Sequence, residues 1–266
     1  MRLGFIGTGR ITTAMVESFC TLADPPARIL VSPRNAEKAA ELAARFPQVV
    51  VASDNQAVVD GSDCVFLALR PPAVAVLGEL RFPEDRQIIS LMPTRPYGLI
   101  RELVAPATRI AWALPLPSVA QHVGPIVVYP GERFALDLLA RVGTPIAVDR
   151  EDHLRILWTP TALLGPLFAL IEEVAQWCAS AGVEREIAGR YTASVFHALC
   201  VLAMQVPDGR YAGLIDEAAT PGGLNEQALR MIRERHGYRP FLEALDAILT
   251  RLGGSPRVRP GDPAGA

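Results

Sequence analysis

The sequence predicts an α/β protein, a doubly wound parallel sheet followed by an all-helical C-terminal domain, and three observations carry that prediction. The chain opens MRLGFIGTGRITTA, an apolar, β-compatible run that passes through a glycine turn into a helix. Short apolar runs then alternate with helical patterns as far as residue 150, which is the rhythm of βαβ units. Beyond that point strand-like runs vanish while helical periodicity continues to residue 252.

Residues 2–6 form the first expected strand, and Gly7 permits the tight turn that ends it. Further strands are expected at 29–32, 49–52, 64–69, 88–91, 110–113, 126–129 and 146–148, each a short apolar run bounded by turn residues. Between them, residues 36–46 and 134–142 carry apolar side chains at helical spacing. In the second half, Pro160, Gly182, Pro207, the Pro221-Gly222-Gly223 turn and Gly237-Tyr238 separate successive helices. The expected domains are therefore 1–150 (sheet), 151–252 (helices) and a flexible Gly/Pro-rich tail at 253–266.

With 266 residues and 50% apolar content, the chain can build two modest domains. Its net charge of −2 and lack of a long basic run argue against a nucleic-acid partner, so the expected ligand is a small molecule. Cys20, Cys64, Cys178 and Cys200 form no CxxC pair and fall in apolar stretches, as reduced core residues do. The apolar start is broken by Arg2, Gly7, Gly9 and Arg10, so no signal peptide and a cytoplasmic location are expected. The apolar stretch 162–181 is interrupted by Pro166, Glu172, Glu173 and Gln176, which argues for a buried or subunit-facing helix over a membrane span. His153 and His236 lack the acid or cysteine spacing of metal ligands, and no metal is expected.

The strand, glycine turn and helix at the N-terminus point to a dinucleotide. Gly7 makes the turn, Gly9 lets backbone approach a pyrophosphate, and N–H groups from about Ile11 onward point at the anion, with Thr8 and Arg10 completing the turn. The third fingerprint position is Thr12, where Gly or Ala would pack the helix more closely on the strand. An NAD site usually ends its second strand in Asp or Glu. Here that strand ends in Ser32-Pro33-Arg34-Asn35, offering a hydroxyl, a guanidinium and an amide to a 2′-phosphate, so NADP(H) is favoured. The competing reading of Arg34 is a solvated loop charge.

Three stretches carry a family resemblance. GFIGTGRITTAM, from Gly4, is similar to GFIGAGNMAQAI; VFLALRP, at 65–71, to VVLAVKP; and ATPGG, at 219–223, to a turn reading TSPGG. On these motifs the chain resembles the pyrroline-5-carboxylate reductase family nearly end to end. The resemblance implies a Rossmann-type N-terminal domain and an NAD(P)H-dependent oxidoreductase of C=N bonds in proline biosynthesis. It also implies a helical domain that interlocks with a partner subunit in a homodimer or larger homo-oligomer, and an active site at the domain junction. It adds Ala68, Leu69, Arg70 and Pro71 to the expected cofactor-binding residues, with Arg70 either approaching the cofactor or serving as a strand-end charge.

The departures from the family pattern fall on the substrate side. Where the family reads MPNTP, this chain reads LPLPS from Leu114, so Leu116-Pro117 replaces Asn-Thr. Where it reads SGSGPAY, residues 162–168 read ALLGPLF, placing Leu163 and Leu164 beside the retained Gly165 and Pro166. After Gly222 and Gly223 a Thr-Thr pair has become Leu224-Asn225. The resemblance implies that the SGSGPAY segment holds the substrate carboxylate and that the second Thr donates to the imine nitrogen. Losing the segment's hydroxyls leaves the carboxylate fewer donors, at roughly 1.5 to 3 kcal/mol per charge-assisted hydrogen bond lost. The expected substrate residues are Leu116, Leu163, Leu164, Gly165, Gly222 and Gly223, with Asn225 and Thr220 as orienting donors. His122 is a candidate proton donor whose alternative is a loop histidine. The expected function is reduction of a cyclic imine by NADPH. The alternatives are reduction of a less polar imine or carbonyl compound, and a catalytically inactive NADP(H)-binding protein. Apolar faces at 163–174 and 187–204 exceed what so small a helical domain can bury alone, which independently predicts self-association.

Overall fold

The structure is a computed structural model that describes residues 1–254, and the expected tail lies almost wholly outside the described residues. The chain divides into two compact units, Met1–Trp158 and a second that begins at Thr159. The first holds an eight-stranded sheet: β1 (Arg2–Ile6), β2 (Arg28–Val31), β3 (Val49–Val51), β4 (Cys64–Leu67), β5 (Gln87–Ser90), β6 (Arg109–Leu114), β7 (Pro125–Tyr129) and β8 (Thr144–Ala147). Their spatial order is β3-β2-β1-β4-β5-β6-β7-β8, so the chain moves outward from β1 in one direction and from β4 in the other. The two halves meet between β1 and β4, the switch point beyond whose carboxyl ends such sheets bind ligands.

The side chains of each strand alternate between two apolar layers, as the period of two requires. Leu3 and Phe5 of β1 and Phe66 of β4 face one layer, where Phe5 stacks on Phe66 with ring centroids 4.6 Å apart. That layer is closed by α1 (Arg10–Cys20), α2 (Ala36–Arg45) and α5 (Arg133–Leu139). Ile6, Val65, Leu67 and Ile88 face the other, closed by α3 (Asn55–Asp60), a 3-10 segment at Pro71–Glu79 and α4 (Tyr97–Leu103).

Two expectations change here. The sheet is parallel except at β6 and β7, which pair antiparallel through Trp112–Tyr129 and Leu114–Val127. Ten residues join these strands, including a 3-10 turn at Pro117–Gln121. That link contains no crossover helix, and a parallel return needs a dozen residues or more. The second change is α6 (Glu151–Trp158), which lies in the sheet unit although the sequence assigns it to the helical domain. Its Leu154 is fully buried with Trp112, Leu114, Val127 and Val148, so this helix closes the β6–β8 end of the sheet.

The second unit carries a 3-10 turn at Thr159–Leu163 and then α7 (Leu164–Ser180), α8 (Arg185–Met204), α9 (Ala212–Ala218), α10 (Leu224–Glu234) and α11 (Arg239–Arg251). α7 and α8 pack on each other through the turn at Gly182, which has φ +97°, and an Arg185–Glu172 ion pair of 2.5 Å ties them. Few of their apolar residues are covered: Ala175, Ala188 and Thr192 are buried, while Phe168, Trp177, Tyr191 and Met204 are 67 to 85% exposed. By length and composition alone, Glu151–Ser180 and Arg185–Met204 are apolar enough to cross a membrane, so the polar interruptions at 166–176 do not by themselves exclude a span.

Candidate functional site

The glycine turn between β1 and α1 is held from both sides by hydroxyls. Gly7 adopts φ +102°, a conformation open to glycine, and a Cβ there would collide with the Ala68 carbonyl at the end of β4. Its N–H donates to Ser32 Oγ at 2.9 Å, and its carbonyl accepts from Thr12 Oγ1 at 2.6 Å. Ser32 and Thr12 are both buried, so neither bond competes with water. The peptide at the turn is thus fixed by one side chain from the end of β2 and one from the first turn of α1.

Around this turn lies an open pocket of about 730 Å³ lined by Gly7, Thr8, Gly9, the segment 34–37, the segment 68–70, Pro72 and Ala73. It collects the segments that leave the carboxyl ends of β1, β2 and β4. Three features suit it to a phosphate group. A Cβ at Gly9 would meet nothing within 4 Å, so backbone there borders open space. Gly9 is the N-cap of α1 and supplies no side-chain cap to that helix, leaving the first-turn N–H groups to an external acceptor. Thr8 Oγ1 is buried without a hydrogen-bond partner among the described residues, a donor waiting for an acceptor. The exposed guanidinium groups of Arg34 and Arg70 border the same space and suit an anionic ligand. A dinucleotide therefore fits the residues present, and Gly7, Thr8 and Gly9 would hold its phosphates.

In the second unit, the turn between α9 and α10 presents another candidate group. Gly222 has φ +74° and its N–H donates to Glu226 Oε2 at 2.7 Å, while Gly223 N–H donates to the Thr220 carbonyl at 2.9 Å. A Cβ on Gly223 would sit 2.7 Å from Thr220 Oγ1, so glycine lets this hydroxyl fold over the turn. Asn225 Nδ2 donates to the Ala218 carbonyl at 3.1 Å. Leu224, at the start of α10, is 85% exposed.

Comparison with known proteins finds relatives for both units. Residues 2–94 match the family described as NADP oxidoreductase coenzyme F420-dependent. Residues 162–253, nearly the whole helical unit, match the family described as pyrroline-5-carboxylate reductase dimerisation. The chain is similar to pyrroline-5-carboxylate reductases over both units. A curated relative, the pyrroline-5-carboxylate reductase of Pseudomonas aeruginosa, is 24% identical over 94% of this chain and 95% of the relative. Among solved structures, the reductase of Coxiella burnetii aligns with a TM-score of 0.81 at 22% identity, covering 94% of this chain and 97% of that one. The Plasmodium falciparum pyrroline carboxylate reductase, solved with NADP bound, aligns with a TM-score of 0.78 at 16% identity, covering 95% and 97%. At these identities the structural likeness is one of fold.

Within this fold, the expected cofactor residues separate into two groups. Gly7, Thr8, Gly9, Arg34, Asn35, Ala68, Leu69 and Arg70 line the pocket together. Asn35 is also the N-cap of α2, its side chain accepting from Lys38 N–H at 3.3 Å. Ser32 does not line the pocket: it is buried, and its hydroxyl serves the Gly7 N–H where the sequence suggests a phosphate ligand. The side chains of Arg10, Ile11 and Pro71 likewise lie off the lining. Arg10 borders a neighbouring groove, Ile11 packs on the core, and Pro71 offers its carbonyl to Arg95 Nη2 at 3.0 Å.

His122 is not brought to the glycine turn. It sits with φ +57° at the end of the 117–121 turn, and its Nε2 lies 2.9 Å from the Ser18 carbonyl and 3.3 Å from Thr21 Oγ1, at the opposite end of α1 from Gly9. Its geometry is that of a cap on the C-terminus of α1. Leu116 belongs to the sheet unit, at the entry to that turn, whereas Leu163, Leu164, Gly165, Gly222 and Gly223 belong to the helical unit.

Sequence reasoning missed Ala36, Glu37, Pro72 and Ala73 on the pocket wall, and the clamp of Thr12 on Gly7. The signal for Thr12 was present: a hydroxyl in the first turn of a helix behind a positive-φ glycine can reach back to that glycine's carbonyl. Glu37 lies in the first turn of α2, beyond the strand end where a ribose-binding acid is expected.

Proposed function

We propose that this chain is an NADPH-dependent oxidoreductase that reduces the C=N bond of a cyclic imine, with pyrroline-5-carboxylate as substrate. The observation that carries the reading is the clamped Gly7 turn bordering a pocket with Arg34 and the unpartnered Thr8 hydroxyl, in a chain whose helical unit matches the reductase dimerisation family. When bound, the reduced nicotinamide supplies the hydride for the imine carbon. The chain's own part is to hold the pyrophosphate on the α1 N-terminus and Thr8, the 2′-phosphate on Arg34, and the substrate so that the reacting carbon lies about 3 to 3.5 Å from the hydride donor. An iminium substrate arrives protonated, so orienting hydrogen-bond groups suffice without a dedicated acid.

A second reading, reduction of a less polar imine or carbonyl compound, is supported by Leu224 standing exposed beside the Gly222-Gly223 turn and by Leu116 at the entry to the 117–121 turn. Steady-state NADPH oxidation separates the two. With pyrroline-5-carboxylate the first reading predicts turnover of about 1 to 1000 per second, and preference for a cyclic imine without a carboxylate supports the second. Tight NADPH binding with no turnover on either leaves a cofactor-binding protein without catalysis.

The exposed apolar faces of α7 and α8 are assigned to a second copy of the chain in a homodimer or larger homo-oligomer, supported by the dimerisation match over 162–253. This reading is preferred to a membrane span because one such match accounts for both helices. A cytoplasmic location is part of the same proposal. Sedimentation at micromolar concentration is expected to give a dimer or larger species, and a clean monomer would contradict the assignment.

A further inference from the structure

Glu37 faces the cofactor pocket although the strand end that precedes it carries no acid. It lies in the first turn of α2, two positions past the N-cap Asn35, and lines the pocket with Gly7, Arg34 and Arg70. Among the described residues it makes no hydrogen bond or ion pair, in contrast to Glu17 and Glu41, whose carboxylates both meet Arg45 Nη1, at 2.5 and 3.5 Å. Arg34, three positions earlier, is also without an ion pair among the described residues. Two opposite charges therefore border one pocket, just beyond the carboxyl end of β2, without neutralising each other.

An adenosine ribose seated beyond β2 would be read by both groups. The guanidinium attracts a 2′-phosphate and can grip two of its oxygens. The carboxylate accepts a hydrogen bond from a 2′-hydroxyl and repels a 2′-phosphate. We propose that Glu37 is a specificity-determining residue that opposes Arg34, holding down the preference for NADP(H) so that the chain also binds NAD(H). The inference rests on the cofactor role proposed for this pocket.

The test is calorimetric titration of the full chain with NADP⁺ and with NAD⁺, for the wild type, Glu37→Gln and Arg34→Gln. Both positions are exposed, and Gln is a good helix former, so equal melting temperatures are expected and serve as the folding control. The wild type should bind both dinucleotides within about tenfold of each other. Glu37→Gln should tighten NADP⁺ about two- to fivefold by removing a solvent-screened like charge. It should weaken NAD⁺ about tenfold by replacing a charged acceptor with a neutral one. Arg34→Gln should weaken NADP⁺ at least about tenfold and leave NAD⁺ nearly unchanged. If both dinucleotides bind and Glu37→Gln leaves their ratio unaltered, the role of Glu37 is overturned while the cofactor reading stands. If neither binds the wild type, the cofactor reading fails and this inference fails with it.

Discussion

Removing the two hydroxyls that hold Gly7 is a sharp test of how the glycine turn is built. Thr12→Val keeps nearly the same shape but deletes the donor 2.6 Å from the Gly7 carbonyl, and Ser32→Ala deletes the acceptor 2.9 Å from its N–H. Thr12 is fully buried and Ser32 almost so, leaving water no easy route to the orphaned peptide groups. Each change should therefore cost about 1 to 3 kcal/mol, the penalty for a buried polar group left unpaired. For a unit of this size each kcal/mol lowers the melting temperature by about 2 to 4 °C, so each variant should melt about 2 to 12 °C below the wild type. Both hydroxyls act on one residue, and the double variant should show a coupling of at least about 0.5 kcal/mol in a double-mutant cycle. Thermal and denaturant unfolding followed by circular dichroism supplies these energies, with Thr12→Ser as the control that restores the donor. If Thr12→Val is as stable as the wild type, or the two substitutions are strictly additive, the clamp as described here is wrong.

Two further outcomes follow from the titrating groups. Burial, with Glu17 adding to it, pushes the Cys20 thiol up to about 12, and burial pushes the Cys64 thiol higher still; iodoacetamide on the native protein at pH 8 should leave both unlabelled, as mass spectrometry of the peptides would show, while denatured protein labels fully. Asp63 is held below its ordinary range chiefly by its hydrogen bond to the Arg2 guanidinium, and it also accepts from the Arg2 N–H at 2.7 Å. A depressed carboxylate contributes stability above its unfolded value, near pH 4, that is lost as pH falls through the folded value. Because the pair is half exposed, Asp63→Asn should cost no more than about 1 kcal/mol at pH 7. In urea unfolding the difference from wild type should shrink as pH falls below about 4, and a difference that stays constant through that range would contradict the pairing.

The fold was largely legible because its central strands are buried on both faces. Runs such as Cys64–Leu67 are apolar throughout, and the glycine turn after Ile6 marks the entry to α1 without help from any distant residue. The direction of β7 was not legible, since an apolar run looks the same whichever way it pairs, and only the short link through Pro117–Gln121 selects the antiparallel partner. The helix Glu151–Trp158 was assigned to the wrong neighbours for a related reason: helical periodicity reports a buried stripe but not what buries it. At the site, the residues named from backbone logic, Gly7 and Gly9, line one pocket. Those named from side-chain chemistry fared unevenly, because a hydroxyl or imidazole can be taken by the fold itself. Ser32 is taken by the Gly7 N–H and His122 by the Ser18 carbonyl, and neither partner is near in sequence. Glu37 shows the converse, an unremarked helix residue that the α2 first turn carries to the pocket wall.

Gly9→Ala tests, apart from folding, whether the Gly7–Gly9 turn cradles a dinucleotide pyrophosphate. Gly9 has φ −89°, which alanine adopts without strain, and its added Cβ meets no protein atom within 4 Å. The melting temperature should therefore stay within about 2 °C of the wild type, the span of an ordinary surface substitution of about 0.5 kcal/mol. NADPH affinity measured by calorimetry should fall at least about tenfold, because the methyl group occupies the space through which backbone approaches the phosphates. An unchanged melting temperature with unchanged NADPH affinity would contradict the cradle.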